Sequence, residues 1–186
     1  MTRPRFAQNV LFGYLPKTVN IAGEEAEIRT DFRIWLEAGE IFRSDMSPER
    51  KAANIISLCY PNRPDSPGAA FGAAAAFYYA GFSQYGSGGK PALYSPDFDG
   101  RVIYSGFMKC YGIDLSKSDM HWHAFAPLLC ELSGCCFSEI LAVRNLDLGG
   151  LPKEKAKKIA EQKRRFTLPG GYADSAFADC ISEVMT

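Results

Sequence analysis

Residues 94–168 read YSPDFDGRVIYSGFMKCYGIDLSKSDMHWHAFAPLLCELSGCCFSEILAVRNLDLGGLPKEKAKKIAEQKRRFTL. Apolar residues recur through this stretch at helical spacing, in blocks separated by clear stops. Asp97 or Asp99 caps a first helix that runs to Tyr111, with Ile103, Phe107 and Tyr111 inward and Gly112 just past its end. Ser116 and Ser118 offer the next cap. Trp122, Phe125, Leu129 and Leu132 then fall at i, i+3, i+7 and i+10. Pro127 lacks the N–H that would bond the carbonyl of His123, which predicts a kink or a late helix start. After a break at Ser133-Gly134, Phe137, Ile140 and Leu141 mark a short helix ending near Asn145. Pro152 stands at a first helical position and opens a basic helix to about Arg165.

Working back toward the N-terminus, Lys17–Ile21 is β-prone, Ala22-Gly23 is a turn, and Glu24–Arg29 alternates polar and apolar residues. That is a hairpin, and a lone hairpin must lean on something. Thr30-Asp31 caps a helix whose apolar face is Phe32, Trp35, Leu36, Gly39 and Phe42. Ser47-Pro48 starts a second, with a stripe of Ala52, Ile55, Ile56 and Cys59, stopped by Pro61 and Pro64. The expected fold is mainly α with a small N-terminal β-hairpin. Residues 1–13 read as a leader, 14–168 as a single helical domain with a flexible Gly/Ala-rich insert near 67–90, and 169–186 as a C-terminal tail.

The formal net charge is zero, so nothing pulls the whole chain toward nucleic acid or an anionic membrane. The charge is uneven, however. Residues 153–165 carry seven Lys/Arg against Glu154 and Glu161, a local balance of +5. The first residues hold only a short apolar run, Val10–Leu15, and no cleavage pattern, so no signal peptide is expected. Pro67–Phe82 is the longest apolar segment. At 16 residues it falls short of the about 20 a spanning helix needs, and reads as a packed or surface-lying helix. The six cysteines form no CxxC and are read as reduced thiols, with Cys135-Cys136 as small apolar fillers.

Signals for chemistry are thin. His121 and His123 are the only histidines. On a helix, positions i and i+2 point about 200° apart and cannot share a metal, so capping or core-edge roles are expected. No GxSxG or Cys–His motif is present, and GSGGK at 86–90 has neither the spacing nor the context of a phosphate loop. The basic helix reads as a solvated face or a surface for an acidic protein partner, with nucleic acid the weakest option.

The ordered set of motifs resembles the bacteriophage Gp15 family of long-tailed phages and prophages of Gram-positive bacteria. The residues that carry it are TDFRIWLE (Thr30–Glu37), SPERKAANIISLCYP (Ser47–Pro61), FMKCYGIDL (Phe107–Leu115), HWHAFAPLLCEL (His121–Leu132), FSEILAVRNLDL (Phe137–Leu148) and the Lys-rich helix ending RRFTL (Arg164–Leu168). Genes of this family tend to lie between those for the major tail protein and the tape measure protein. The resemblance therefore implies a tail assembly chaperone of the host cytoplasm, not retained in the mature virion, that keeps the tape measure protein soluble while the tail tube polymerises. It implies no enzyme activity, catalytic residue, cofactor or metal. The tape measure protein is the expected partner, with the major tail protein and self-association as further ones, and neither nucleic acid nor membrane. Candidate partner-binding residues are Trp122, Phe125, Lys153, Lys157, Lys158, Arg164 and Arg165. The alternatives are a structural tail or head–tail protein retained in the virion, and a metal-binding or enzymatic protein centred on His121 and His123.

Overall fold

A computed structural model describes residues 13–81, 94–149 and 152–168. The expected leader (apart from Gly13), the Gly/Ser stretch 83–90 and the C-terminal tail lie outside these residues. The described residues form two strands and seven helices: β1 (Thr18–Ile21), β2 (Glu24–Glu27), α1 (Phe32–Arg43), α2 (Pro48–Cys59), α3 (Pro67–Ala80), α4 (Pro96–Tyr111), α5 (Trp122–Cys130), α6 (Cys136–Asn145) and α7 (Lys153–Phe166). The described residues are mainly helical, with one two-stranded hairpin among them. The helices and strands sort into two compact units. The first holds 13–81 and 119–130; the second holds 94–118, 131–149 and 152–168.

In the first unit the hairpin pairs Thr18 with Glu27 through to Ile21 with Glu24. Its turn residues Ala22 and Gly23 have φ of 51° and 100°, the twist a two-residue hairpin requires. Asn20 Oδ1 accepts the Gly23 N–H. The hairpin leans on α3 through β1. Asp31 caps α1 by accepting the Arg33 N–H at 2.9 Å. The Arg29 guanidinium donates to the Ser57 and Leu58 carbonyls at the end of α2, where the helix dipole favours a cation. Lys51 is buried, yet its ammonium reaches the Phe42 carbonyl in the last turn of α1.

Within the Gly/Ala-rich stretch, residues 67–80 form helix α3, as the packed-helix reading of this segment expected, with Ala70, Phe71, Ala74, Phe77 and Tyr78 buried; residues 82–90 lie outside the described residues. Small side chains let neighbouring elements approach closely. A Cβ on Gly39 would lie 2.7 Å from the Tyr78 hydroxyl, and one on Gly81 would lie 2.6 Å from Trp122 Nε1. No helix among the described residues is long and apolar enough to cross a membrane.

In the second unit the cap of α4 lies two residues before the nearer of the expected ones, Asp97. Ser95 is its N-cap, and Asp99 reaches back to accept the Ser95 N–H at 3.0 Å. Gly112, in the left-handed region, ends it as expected. Ile103 and Phe107 are buried, and Tyr94 meets Phe137 edge to face at 6.1 Å. Helix α6 packs on both α4 and α7. Cys135 is buried, as a filler should be, but Cys136 is exposed.

Candidate functional site

Helix α5 opens at Trp122, immediately after His121, and its cap is not Ser116 or Ser118. His121 Nδ1 accepts the His123 N–H at 3.0 Å. The two serines instead belong to a turn organised by Asp114, which accepts from the Ser116 N–H and hydroxyl and pairs with Lys117. The helix then continues through Pro127 to Cys130. His121 is held from its other side too. Its Nε2 lies 2.8 Å from the Pro16 carbonyl, and the backbone bridges Asp31 through Phe32 N–H to Met120 O and Trp122 N–H to Thr30 O. Because Nδ1 accepts, Nε2 must carry the proton and donate. His123 Nε2 contacts the Phe77 carbonyl at 2.9 Å, and its ring stacks on Phe77 at 4.3 Å.

Burial holds both imidazoles below the ordinary histidine range, more than the carbonyl contacts to Pro16 and Phe77 raise them. The neutral forms are therefore the ones these contacts are built for. The rings lie 5.2 Å apart, but the two Nε2 atoms face different carbonyls. Among the described residues no three His, Cys, Asp or Glu side chains are grouped to hold a metal ion.

Trp122 and Phe125, read as partner-binding residues, are fully buried. This is a correction with a simple cause. The stripe Trp122, Phe125, Leu129 faces an aromatic stack already present in the first unit. Trp122 lies on Tyr78 at 5.1 Å and donates its indole N–H to the Tyr78 carbonyl, Phe125 stacks on Phe32 at 4.4 Å, and Trp35 stacks on Phe77 at 4.6 Å. These rings cover one another and present no surface to a partner.

The basic residues are placed differently. Lys153, Lys157, Lys158, Arg164 and Arg165 are all exposed on α7. Ala156, Ile159, Ala160, Lys163 and Phe166 are half-buried on the face toward α6. Lys153, Lys157 and Arg164 stand at i, i+4 and i+11, one row along the helix about 16 Å long at 1.5 Å per residue. Arg165 instead pairs with Glu161 at 3.3 Å, on the flank where Lys158 also lies.

The row is anchored by a residue that sequence reasoning did not single out. Arg144, on α6, forms a bidentate pair with Asp99 at 2.6 and 2.9 Å and donates Nε to the Phe166 carbonyl at 2.7 Å. One buried guanidinium thus ties the start of α4 to the end of α7. A second surface also went unnoticed. Phe98, Tyr104 and Met108 are exposed on α4, off the inward stripe of Ile103 and Phe107. Tyr104 and Met108 stand at i and i+4, side by side. Their position between the inward residues was the available signal.

A family model described as Bacteriophage Gp15 protein matches residues 11–168, most of the chain. No curated protein and no solved structure matches it.

Proposed function

The chain belongs to the bacteriophage Gp15 protein family, and from that premise we propose that it is a tail assembly chaperone. It binds the tape measure protein and keeps it soluble while the tail tube polymerises. It works in the host cytoplasm without catalysis or cofactor and leaves before the virion is complete. The observation that carries this reading is the family match over residues 11–168, from the hairpin to the end of the basic helix.

Two features of the second unit support it. A tape measure protein is a long helix whose apolar stripes need cover before the tube encloses it. Tyr104 and Met108 on α4 are exposed apolar side chains of the kind that meet such a stripe. The cation row Lys153, Lys157, Arg164 complements acidic residues on the same client and raises the rate of encounter.

The test is co-expression with the tape measure protein encoded downstream, followed by pull-down and a solubility assay. The chaperone should bring the tape measure into the soluble fraction and co-purify with it. The triple variant Lys153→Glu, Lys157→Glu, Arg164→Glu should keep its helical content and lose the co-purification. A tape measure that neither binds nor gains solubility would refute the proposal. The chain would then be sought in purified virions by mass spectrometry, as a structural tail component.

A further inference from the structure

The last two turns of α4 are fastened to the segment that opens α6 at three points. Lys109 Nζ donates to the Gly134 carbonyl. The Cys110 thiol donates to the Ser133 carbonyl at 3.4 Å. Cys135 Sγ lies over Gly106, where an added Cβ would sit 3.3 Å from the sulfur. Gly106 is one turn before Cys110 on the same helix face. The Cys135 sulfur therefore rests on the face of α4 that ends at Cys110, and the Cys110 thiol is among the neighbours that lower the pKa of the Cys135 thiol.

Cys135 is also the N-cap of α6, with its sulfur receiving the Ser138 N–H in a capping box. Burial pushes its thiol up, but the hydrogen bonds from Ser138, the Phe137 N–H and Cys110 outweigh that, and the net direction is down. A sulfur at a helix N-terminus is the environment that stabilises a thiolate. The two cysteines differ in access, since Cys110 is exposed and Cys135 is buried. The contrast within the protein is Cys59, buried at the end of α2, whose thiol burial pushes up to about 12.

We propose that Cys110 and Cys135 are a dithiol pair that closes to an intramolecular disulfide, with a small-molecule disulfide such as glutathione disulfide as oxidant. Exposed Cys110 meets the oxidant first. Having given its proton to water, its sulfur attacks one sulfur of the oxidant, breaks that S–S bond, and forms a mixed disulfide with release of one thiolate. Cys135, as thiolate, then attacks the Cys110 sulfur, breaks the mixed disulfide and releases the second thiolate. The protein loses two electrons and two protons, and the oxidant is reduced to two thiols. The product locks the last turn of α4 to the cap of α6, and a thiol reductant reverses it.

The sequence makes the test direct. Trypsin places Cys110 alone in the peptide 110–117 and Cys130, Cys135 and Cys136 together in 118–144. The full-length protein is treated with excess glutathione disulfide at mildly alkaline pH, alkylated and digested. The expected result is a cross-linked peptide pair 110–117 with 118–144, and fragmentation that assigns the link to Cys135. The cross-link should survive in the double variant Cys130→Ser, Cys136→Ser. In Cys135→Ser it should vanish and leave Cys110 glutathionylated; serine is a preferred N-cap, so that variant keeps the start of α6. A wild-type protein that stops at the mixed disulfide on Cys110, or whose cross-link runs to Cys130 or Cys136, overturns the proposal.

Discussion

Replacing Arg144 with methionine keeps much of the side-chain volume and removes the charge. The structure says what is lost. Asp99 forfeits two charge-assisted bonds of 2.6 and 2.9 Å, and the Phe166 carbonyl forfeits one of 2.7 Å. The pair is nearly dry, with side-chain exposures of 9% for Arg144 and 5% for Asp99. Breaking a buried pair from one side costs about 3–5 kcal/mol, because the remaining charge is left without a partner. That is a large fraction of the roughly 5–15 kcal/mol that holds a domain together. With an m-value of about 2 kcal/mol/M, the urea midpoint followed by far-UV circular dichroism should fall by about 2 M. Trp35 and Trp122 both belong to the first unit, so their fluorescence gives that unit's transition separately. The decisive control is the double variant Asp99→Asn, Arg144→Met. It removes both charges, while the amide oxygen that replaces the carboxylate can still accept the Ser95 N–H. It should therefore recover on the order of 2 kcal/mol relative to the sum of the single changes. A midpoint shift under about 0.5 M for Arg144→Met would refute the reasoning, as would strict additivity in the cycle.

Acid should weaken the first unit in a defined window. His121 and His123 have folded values below their unfolded ones, so their contribution is full above about pH 6.5 and is lost as pH falls through the lower folded values. Tryptophan-monitored unfolding midpoints should drop between about pH 7 and pH 5, and His121→Asn, which keeps a capping acceptor without titrating, should flatten the drop; an unchanged slope would sink the assignment. Gly81→Ala places a methyl 2.6 Å from Trp122 Nε1, a ring with no room to retreat, and should cost about 1–3 kcal/mol in denaturant unfolding. Gly68→Ala, with nothing within 4 Å, is the control and should stay within about 0.5 kcal/mol. Ala22 carries a φ of 51°, a strained value for a residue with a side chain, so Ala22→Asn should raise stability by about 0.5–1 kcal/mol.

Local chemistry made much of the fold legible. Ala22-Gly23, Asp31, Ser47-Pro48 and Gly112 each mark the boundary they were expected to mark, because caps and turns depend on a few neighbouring residues. What escaped was set by contacts distant in sequence. Nothing near His121 predicts that its ring replaces a serine as the cap of α5; that follows from the bridge to Asp31 and the Pro16 carbonyl on its other nitrogen. The apolar run from Pro67 was legible as a packed helix, but the rings that its Phe77, Phe71 and Tyr78 meet, Trp35, Phe42 and Trp122, lie far away in sequence. Asp99 was legible as a helix-start acid, but its partner Arg144 lies 45 residues away and carries no local signature.

The burial of Trp122 and Phe125 changes where a partner must be sought. For either ring to contact a client, the stack with Tyr78 and Phe32 would have to open, and the indole–Tyr78 carbonyl bond would have to break. Fully exposing two such rings forfeits roughly 3–6 kcal/mol of burial alone, which any binding surface would first have to repay. The exposed side chains of the second unit carry no such cost. Tyr104, Met108 and the row Lys153, Lys157, Arg164 already face solvent. Presenting that row depends on α7 staying docked, and the buried cation that grips its last turn is Arg144. If the proposed chaperone role holds, loss of Arg144 should therefore weaken capture of the tape measure protein, although its side chain is only 9% exposed. The charge-reversal variant separates the two effects, because it leaves the anchor intact and changes only the face it presents.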